Sequence, residues 1–410
     1  MKFSVEPESV SFPVTAALLA TALATAGIPV AACSGPLEFA DWTIPLQEGT
    51  PIIEYESVPT AGRTERIEFE EDLVIGRGND DTNYTFYGAR GLAVDVKGRI
   101  YVLDSGNGRV QVFDSEGGFL RTIGRRGEGP GEFQSPSSIA VAGGRLLVTG
   151  TRDKRLRAWN LEGELLQDKE ASAPETLTLV QGLKDESFIA TYQAIERWET
   201  AEGRGASSAK ALVPAHVDPD GVVSRAFVEL PTAAPVYRRA GHIAMPRVPF
   251  ARPRVAASST GDVYAIRGDE YQVFAYSKTG EARWALRASG RMPPLPEAHI
   301  DAALARLRAT NDLIERADID WPVRLPAISG LNVDGSGNLY IFPYVYVPWE
   351  GEPPDEVPVD VYSHEGERLV AAMMPAHHWR AALGDFVYCL EVDPESEEQI
   401  VIRYRLVKPF

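Results

Sequence analysis

One spacing recurs five times along this chain: an aromatic or apolar residue stands four positions before a glycine. The pairs are Phe113 and Gly117, Trp159 and Gly163, Val217 and Gly221, Tyr276 and Gly280, and Tyr362 and Gly366. Each lies in a polar turn, as in "VFDSEG" and "VYSHEG". Upstream of each stands a partner strand, "GRIYVLD" from Gly98, "GRLLVTG" from Gly144, "ESFIATY" from Glu186, "GDVYAIR" from Gly261 and "GNLYIFP" from Gly337. Alternating strands bury one face, and turns that need positive φ take glycine at little cost. The unit therefore reads as a small antiparallel sheet, repeated along the chain.

A sixth unit is split between the ends. The C-terminal "GDFVYCLEVDPESEEQIVIRYRLV" supplies two strong strands without a third after them, while "RTERIEFEEDLVIG", Arg63 to Gly76, ends like the closing strand "GGFLRTIG" of the first full unit. Joining the two closes a ring and removes the exposed sheet edges that an open array would leave. The expected fold is all-β: a six-bladed β-propeller of four-stranded antiparallel blades over 63–410, with one inserted helix.

The N-terminus is different in kind. "VTAALLATALATAGIPVAAC" is an apolar, small-residue run from Val14 to Cys33, preceded by Lys2, and reads as a secretory signal over 1–32. Its ending, Val30-Ala31-Ala32-Cys33, resembles the lipobox of bacterial lipoproteins, and that resemblance implies lipidation of Cys33 and membrane attachment through it. Residues 33–62, with scattered Gly and Pro and no clear period, would then be a tether. The expected location is the cell envelope, periplasmic or at the cell surface. Formal charge is −17, with 58 acidic against 41 basic side chains, so no general affinity for nucleic acid is expected. A monomer is expected.

The stretch "GRRGEGPGEF", Gly124 to Phe133, invites comparison with a phosphate-cradling loop. Pro130 follows where such loops carry Lys, the spacing GxGxG falls one residue short of GxGxxG, and a strand hairpin follows instead of a helix. A turn between blades explains it better. The first unit, with Asp104, Asn107 and Arg109 in one turn, Phe113 with Asp114 and Gly117, and the "GxGPGEFxxP" join, resembles the NHL repeat. The resemblance implies a propeller and covers one blade in detail and the ring in outline; the second unit keeps Arg155 but has Gly150 and Asp153 where Asp104 and Asn107 stand.

In such blades the turns between second and third strands share one face with the crossovers between blades. The long insertions fall there: Tyr192 to Lys210, Pro231 to Arg252, Ala288 to Leu325 and Pro343 to Pro358. Loops converging on one side of a rigid scaffold suggest a binding surface. Candidate binding residues are Trp198, Tyr237, His242 and Trp349, the cluster His377, His378 and Trp379, and the pair Arg125 and Arg126 for an anionic ligand, with Arg238 and Arg239 on another crossover. Aromatic side chains with polar tips suit a protein, peptide or glycan ligand, although packing of the inserted loops would use the same residues. Within the third insertion, Ile300, Ala303, Leu304, Leu307 and Ile314 recur at helical steps. No HxH, HxxxH or HExxH spacing and no GxSxG elbow occurs, so no catalytic residue and no cofactor is assigned. The leading expectation is a non-enzymatic binding or scaffolding module. The alternative, implied by the fold resemblance, is a metal-dependent lyase or a lactonase- or esterase-type hydrolase with a metal ion in the central channel.

Overall fold

The computed structural model describes residues 46–55, 63–78, 81–151, 153–199, 205–232, 237–239, 242–244, 248–288, 292–309, 314–319, 321–345, 354–377 and 379–410; the side chains of 196–199, 205–210, 237–239 and 242–244 are not described. The signal-like run, Cys33, Trp349 and His378 lie outside these residues.

The chain is a six-bladed propeller of four-stranded antiparallel blades. Blade one contains Gly91–Val94, Ile100–Asp104, Arg109–Phe113 and Phe119–Ile123. Blades two to five follow in chain order and begin at Pro136, Thr178, Arg254 and Ile328. In blade six, Trp379–Leu383, Phe386–Val392 and Gln399–Val407 are joined by the N-terminal strand Glu68–Ile75, which pairs antiparallel with the last of them. The first strands of blades touch their counterparts in neighbouring blades around the centre. Six apolar clusters lie between consecutive blades. Tyr101, Leu103, Leu146 and Trp159 join blades one and two, and Ile75, Phe86, Val102 and Tyr388 join six and one. Because each sheet is covered on both faces, second strands such as Ile100–Asp104 are buried throughout.

The recurring glycine falls in the turn between third and fourth strands. Gly117, Gly163, Gly221, Gly280 and Gly366 have φ between 81° and 96°. Three positions before each stands Asp114, Asn160, Asp218, Ser277 or Ser363, whose side chain accepts backbone N–H groups two and four residues on at Asp114, Asn160 and Asp218. The turns between first and second strands repeat the device at Asp95 and Asp334. Blade three departs from it: Glu186, with φ 68°, stands where other blades have glycine.

The tether is corrected for part of its length. Within 33–62, Ile52–Tyr55 runs parallel to the fourth strand of blade four as a fifth strand. Gln47 donates to Gly280 O (3.1 Å) and accepts from Ala282 N (3.0 Å), and Ile53 and Tyr55 pack on the core between blades four and five. Glu65–Arg66 then pairs parallel with the last strand of blade five. Arg63 reaches Asp360 at 3.0 Å, a carboxylate wholly buried between Arg63 and Arg368. The segment is thus a strap along blades four and five before its strand enters blade six.

The helix is Glu297–Arg308, with His299, Ile300, Ala303 and Leu304 buried. Ile300 and Ala303 pack with Val248, Leu295 and Leu325, and Leu304 with Ile314 and Ile319. The apolar periodicity thus marks a helix packed on its own inserted loop and, through Val248, on the insertion before blade four, while Ile314 lies beyond the helix and packs back onto it.

Candidate functional site

Strand direction fixes which loops share a face. The short turns at Asp95–Arg99, Asp114–Gly118 and their counterparts lie at one end of the blades, and the crossovers and second-to-third connections at the other. Tight side-chain hydrogen bonds hold the first group; inserted segments dominate the second.

The stretch Gly124 to Phe133 links Phe119–Ile123 of blade one to Pro136–Ala142 of blade two, so it is the crossover its sequence suggested. Its arginines already have partners. Arg125 pairs with Glu132 at 2.6 Å, and Arg126 donates to Gly106 O. The Gly129 N–H, then Arg125, holds the Glu132 carboxyl below the usual range. Beside this crossover is a cavity of about 200 Å³ lined by Glu128, Gly129, Pro130, Gln134, Asp153, Arg155, Arg157 and Asp168. Its arginines meet acids within it: Arg155 binds Asp168 and Arg157 binds Asp153, and Gly131 N donates to Asp168. The turn residues Asp104, Asn107 and Arg109 likewise serve structure. Asp104, fully buried, accepts from Asn107 Nδ2, Arg109 Nε and Tyr87 N, each at 2.8 Å, fastening the turn to the crossover that enters blade one.

The cluster at 377–379 divides. Trp379 is 5% exposed and packs against Phe69, Tyr340 and Phe342, its Nε1–H directed to Val333 O at 3.3 Å. It belongs to the core between blades five and six. His377 is half-buried, with Nδ1 2.7 Å from Glu391 Oε1 and its ring 4.8 Å from Tyr404 and 5.3 Å from Phe69, centre to centre. Burial, reinforced by Glu391, pushes the Tyr404 hydroxyl pKa up, keeping it a hydrogen-bond donor to that carboxylate. Trp198 lies in Phe188–Glu199, one long arm of blade three, and Tyr237 and His242 lie in a two-stranded hairpin, Tyr237–Arg239 with His242–Ala244. The hairpin falls in the crossover from blade three to blade four.

Three exposed arginines at the loop-rich ends of innermost strands carry no signal in the sequence motifs. Arg254 opens the first strand of blade four, Arg252 precedes it by two residues, and Arg380 sits at a bulge in the first strand of blade six. Enclosure, then Arg252 and Arg380, pulls Arg254 below the usual arginine range. Arg254 nevertheless stays open to solvent, and a walled but open position, as at a channel mouth, satisfies both observations. Among the described residues no three His, Cys, Asp or Glu side chains gather to hold a metal ion, and Cys389 is a free, buried thiol. No helix among them is long and apolar enough to cross a membrane.

Fold and faces together define a six-bladed β-propeller with one ornamented end. A family model described as a 6-bladed β-propeller, DUF5128, matches residues 91–185, which span blade one, blade two and the start of blade three. Solved structures resemble this chain at low identity. One from Bacteroides fragilis, thought to be an exported protein, is 11% identical with TM-score 0.48, covering 87% of this chain and 100% of its own. A DUF4221 member from Bacteroides vulgatus is 12% identical with TM-score 0.46, covering 83% and 99%. A gluconolactonase from Xanthomonas campestris is 12% identical with TM-score 0.38, covering 79% and 86%. No curated protein matches the chain in sequence.

Proposed function

We propose that the protein is a lipid-anchored binding module of the bacterial cell envelope, which holds a protein, peptide or glycan ligand on its loop-rich face. The observation that carries this reading is the asymmetry between the two ends of the blades. Eight short turns on one side are built to a single plan, whereas every insertion extends the other side. A ring needs only short connections at both ends to fold, so chain added at one end alone is best explained by recognition. Attachment through Cys33 rests on the apolar run ending in Val-Ala-Ala-Cys, and several acyl chains would hold the protein firmly at a membrane.

The test uses the full chain in detergent against a panel of envelope glycans and peptides. Shortening the crossover 231–252 is expected to abolish capture, while replacing Ser363, His364 and Glu365 in a short turn leaves it intact. Capture lost only in the second variant would assign function to the other face. Cys33→Ser is expected to release the protein from membranes on fractionation, and its retention there, unprocessed, would contradict the lipid anchor.

A further inference from the structure

Between Leu230 and Gly261 the chain carries five arginines, Arg238, Arg239, Arg247, Arg252 and Arg254, and no aspartate or glutamate, although acids outnumber bases 58 to 41 overall. This run crosses from blade three to blade four and ends in Arg254–Ala257, an innermost strand. Arg254 thus lies at the loop-rich end of a channel-lining strand. Arg380 is the second residue of the innermost strand of blade six, where a register shift between Trp379 and Ala381 leaves it without a cross-strand partner. Arg252 stacks its guanidinium 4.4 Å from the centre of the Phe250 ring, which orients the group while leaving its N–H donors available.

Arg252, Arg254 and Arg380 are all open to solvent, and topology sets Arg254 and Arg380 at the same end of two innermost strands. Enclosure and the two neighbouring guanidinium groups both weaken the hold of Arg254 on its proton, and no acid among the described residues offsets them. Other arginines of the same ring do have carboxylates: Arg99 with Asp95, Arg109 with Asp104, Arg157 with Asp153 and Arg267 with Asp269. The contrast sets these three apart as guanidinium groups that no described carboxylate meets, free to receive an anion from outside. Low-dielectric channel walls concentrate the field of such a cluster, and guanidinium groups match oxyanions in a bidentate geometry.

We propose that Arg252, Arg254 and Arg380 form an oxyanion-binding site at the loop-rich entrance of the central channel, receiving a phosphate, sulfate or carboxylate group of the ligand. The proposal rests on the loop-rich face being the binding face and names the chemistry that face takes. Attraction at the entrance also gives an acidic protein a means of drawing in a ligand of its own charge sign.

Calorimetric titration of the full chain in detergent, at low salt, tests it with four probes: inorganic phosphate, citrate, trigalacturonate and the neutral sugar maltotriose. At least one anion is expected to bind, with affinity falling as salt rises. The double variant R254Q/R380Q is expected to lose about tenfold or more of that affinity, while R405Q, at an exposed ion pair with Glu70 on blade six, keeps it. The pattern among phosphate, citrate and trigalacturonate tells a free anion from an acidic saccharide. Without ligand, R254Q/R380Q should melt no lower than the unaltered protein, because like-charge repulsion is relieved. Absence of anion binding, equal binding by the double variant, or a much lower melting point would each overturn the proposal. Binding of maltotriose alone, lost on shortening 231–252, would overturn it while leaving the binding face intact. Anion binding that survives in R254Q/R380Q but is lost on changing Ser363, His364 and Glu365 would overturn both.

Discussion

The two ends of the propeller differ in how regularly they use polar residues. At the short-turn end a carboxylate, amide or hydroxyl is spent on the backbone: Asp114 caps Glu116 N and Gly118 N, and Asp334 caps Ser336 N and Asn338 N. At the loop-rich end some polar groups fasten turns, as Asp104 does, but the crossovers vary in length from blade to blade, and Arg252, Arg254 and Arg380 have no described carboxylate partner. The difference teaches that a repeat is kept by whatever closes its turns, and that departures from it are informative only when they cluster.

The largest effect is expected at the short-turn end. Asp334 is fully buried and also receives Tyr340 OH at 3.2 Å and Lys408 Nζ at 2.9 Å. Asp334→Ala should strip the buried Tyr340 hydroxyl and two backbone N–H groups of their acceptor, leaving Lys408 with Asp385 alone at 3.2 Å, and cost roughly 3 kcal/mol in chemical denaturation, whereas Arg125→Ala, at a guanidinium open to solvent, should cost far less. Equal losses would erase the distinction between the ends.

The strap comes next. Deleting Leu46–Tyr55 uncovers an edge of blade four and the apolar surface under Ile53 and Tyr55, with an expected loss of roughly 2–4 kcal/mol and poorer solubility. A melt unchanged by the deletion would return the segment to the role of a tether.

A smaller gain sharpens the turn rule. Glu186→Gly gives blade three the glycine its counterparts have, at φ 68°, and should stabilise by up to about 1 kcal/mol, less whatever is lost with the exposed Arg145 pair at 2.9 Å. A destabilised variant would mean that the ion pair outweighs the backbone.

The smallest effect depends on pH. Burial, the largest cause, lowers the pKa of His216 from 6.5, its ring nitrogens meeting Ser224 Oγ at 2.7 Å and Ser187 Oγ at 3.1 Å. Below pH 6.5 the unfolded chain therefore takes up the proton first, so stability falls as pH drops from 6.5 toward the folded value. His216→Gln should flatten stability against pH in that window, and an unchanged slope would place its origin elsewhere.

What the sequence disclosed follows the range of the interactions. Turns such as Asp114 to Gly118 are closed within five residues, so their spacing is visible; counting them gives five blades, and the split unit at the two ends gives the sixth. The amphipathic helix is visible for the same reason. In sequence the strap resembles a tether because Ile52–Tyr55 is short and its partner, Ala285–Ala288, lies far along the chain. Trp379 illustrates a second limit: an aromatic beside two histidines suits a ligand or a core equally well, and only its neighbours Tyr340 and Phe342 decide for the core. The channel arginines come from separate blades with no common motif, and their one local signal was the absence of acids between Leu230 and Gly261.

On the function proposed above, one end of the ring builds the fold and the other binds. Photo-crosslinking in intact cells tests it most directly, with a benzophenone side chain placed singly at Arg126, Glu270 or Glu397 on the loop-rich end and at Glu116, Glu162 or Glu365 on the short-turn end. Adducts are expected from the first set and not from the second. Adducts confined to Glu116, Glu162 and Glu365 would contradict the account.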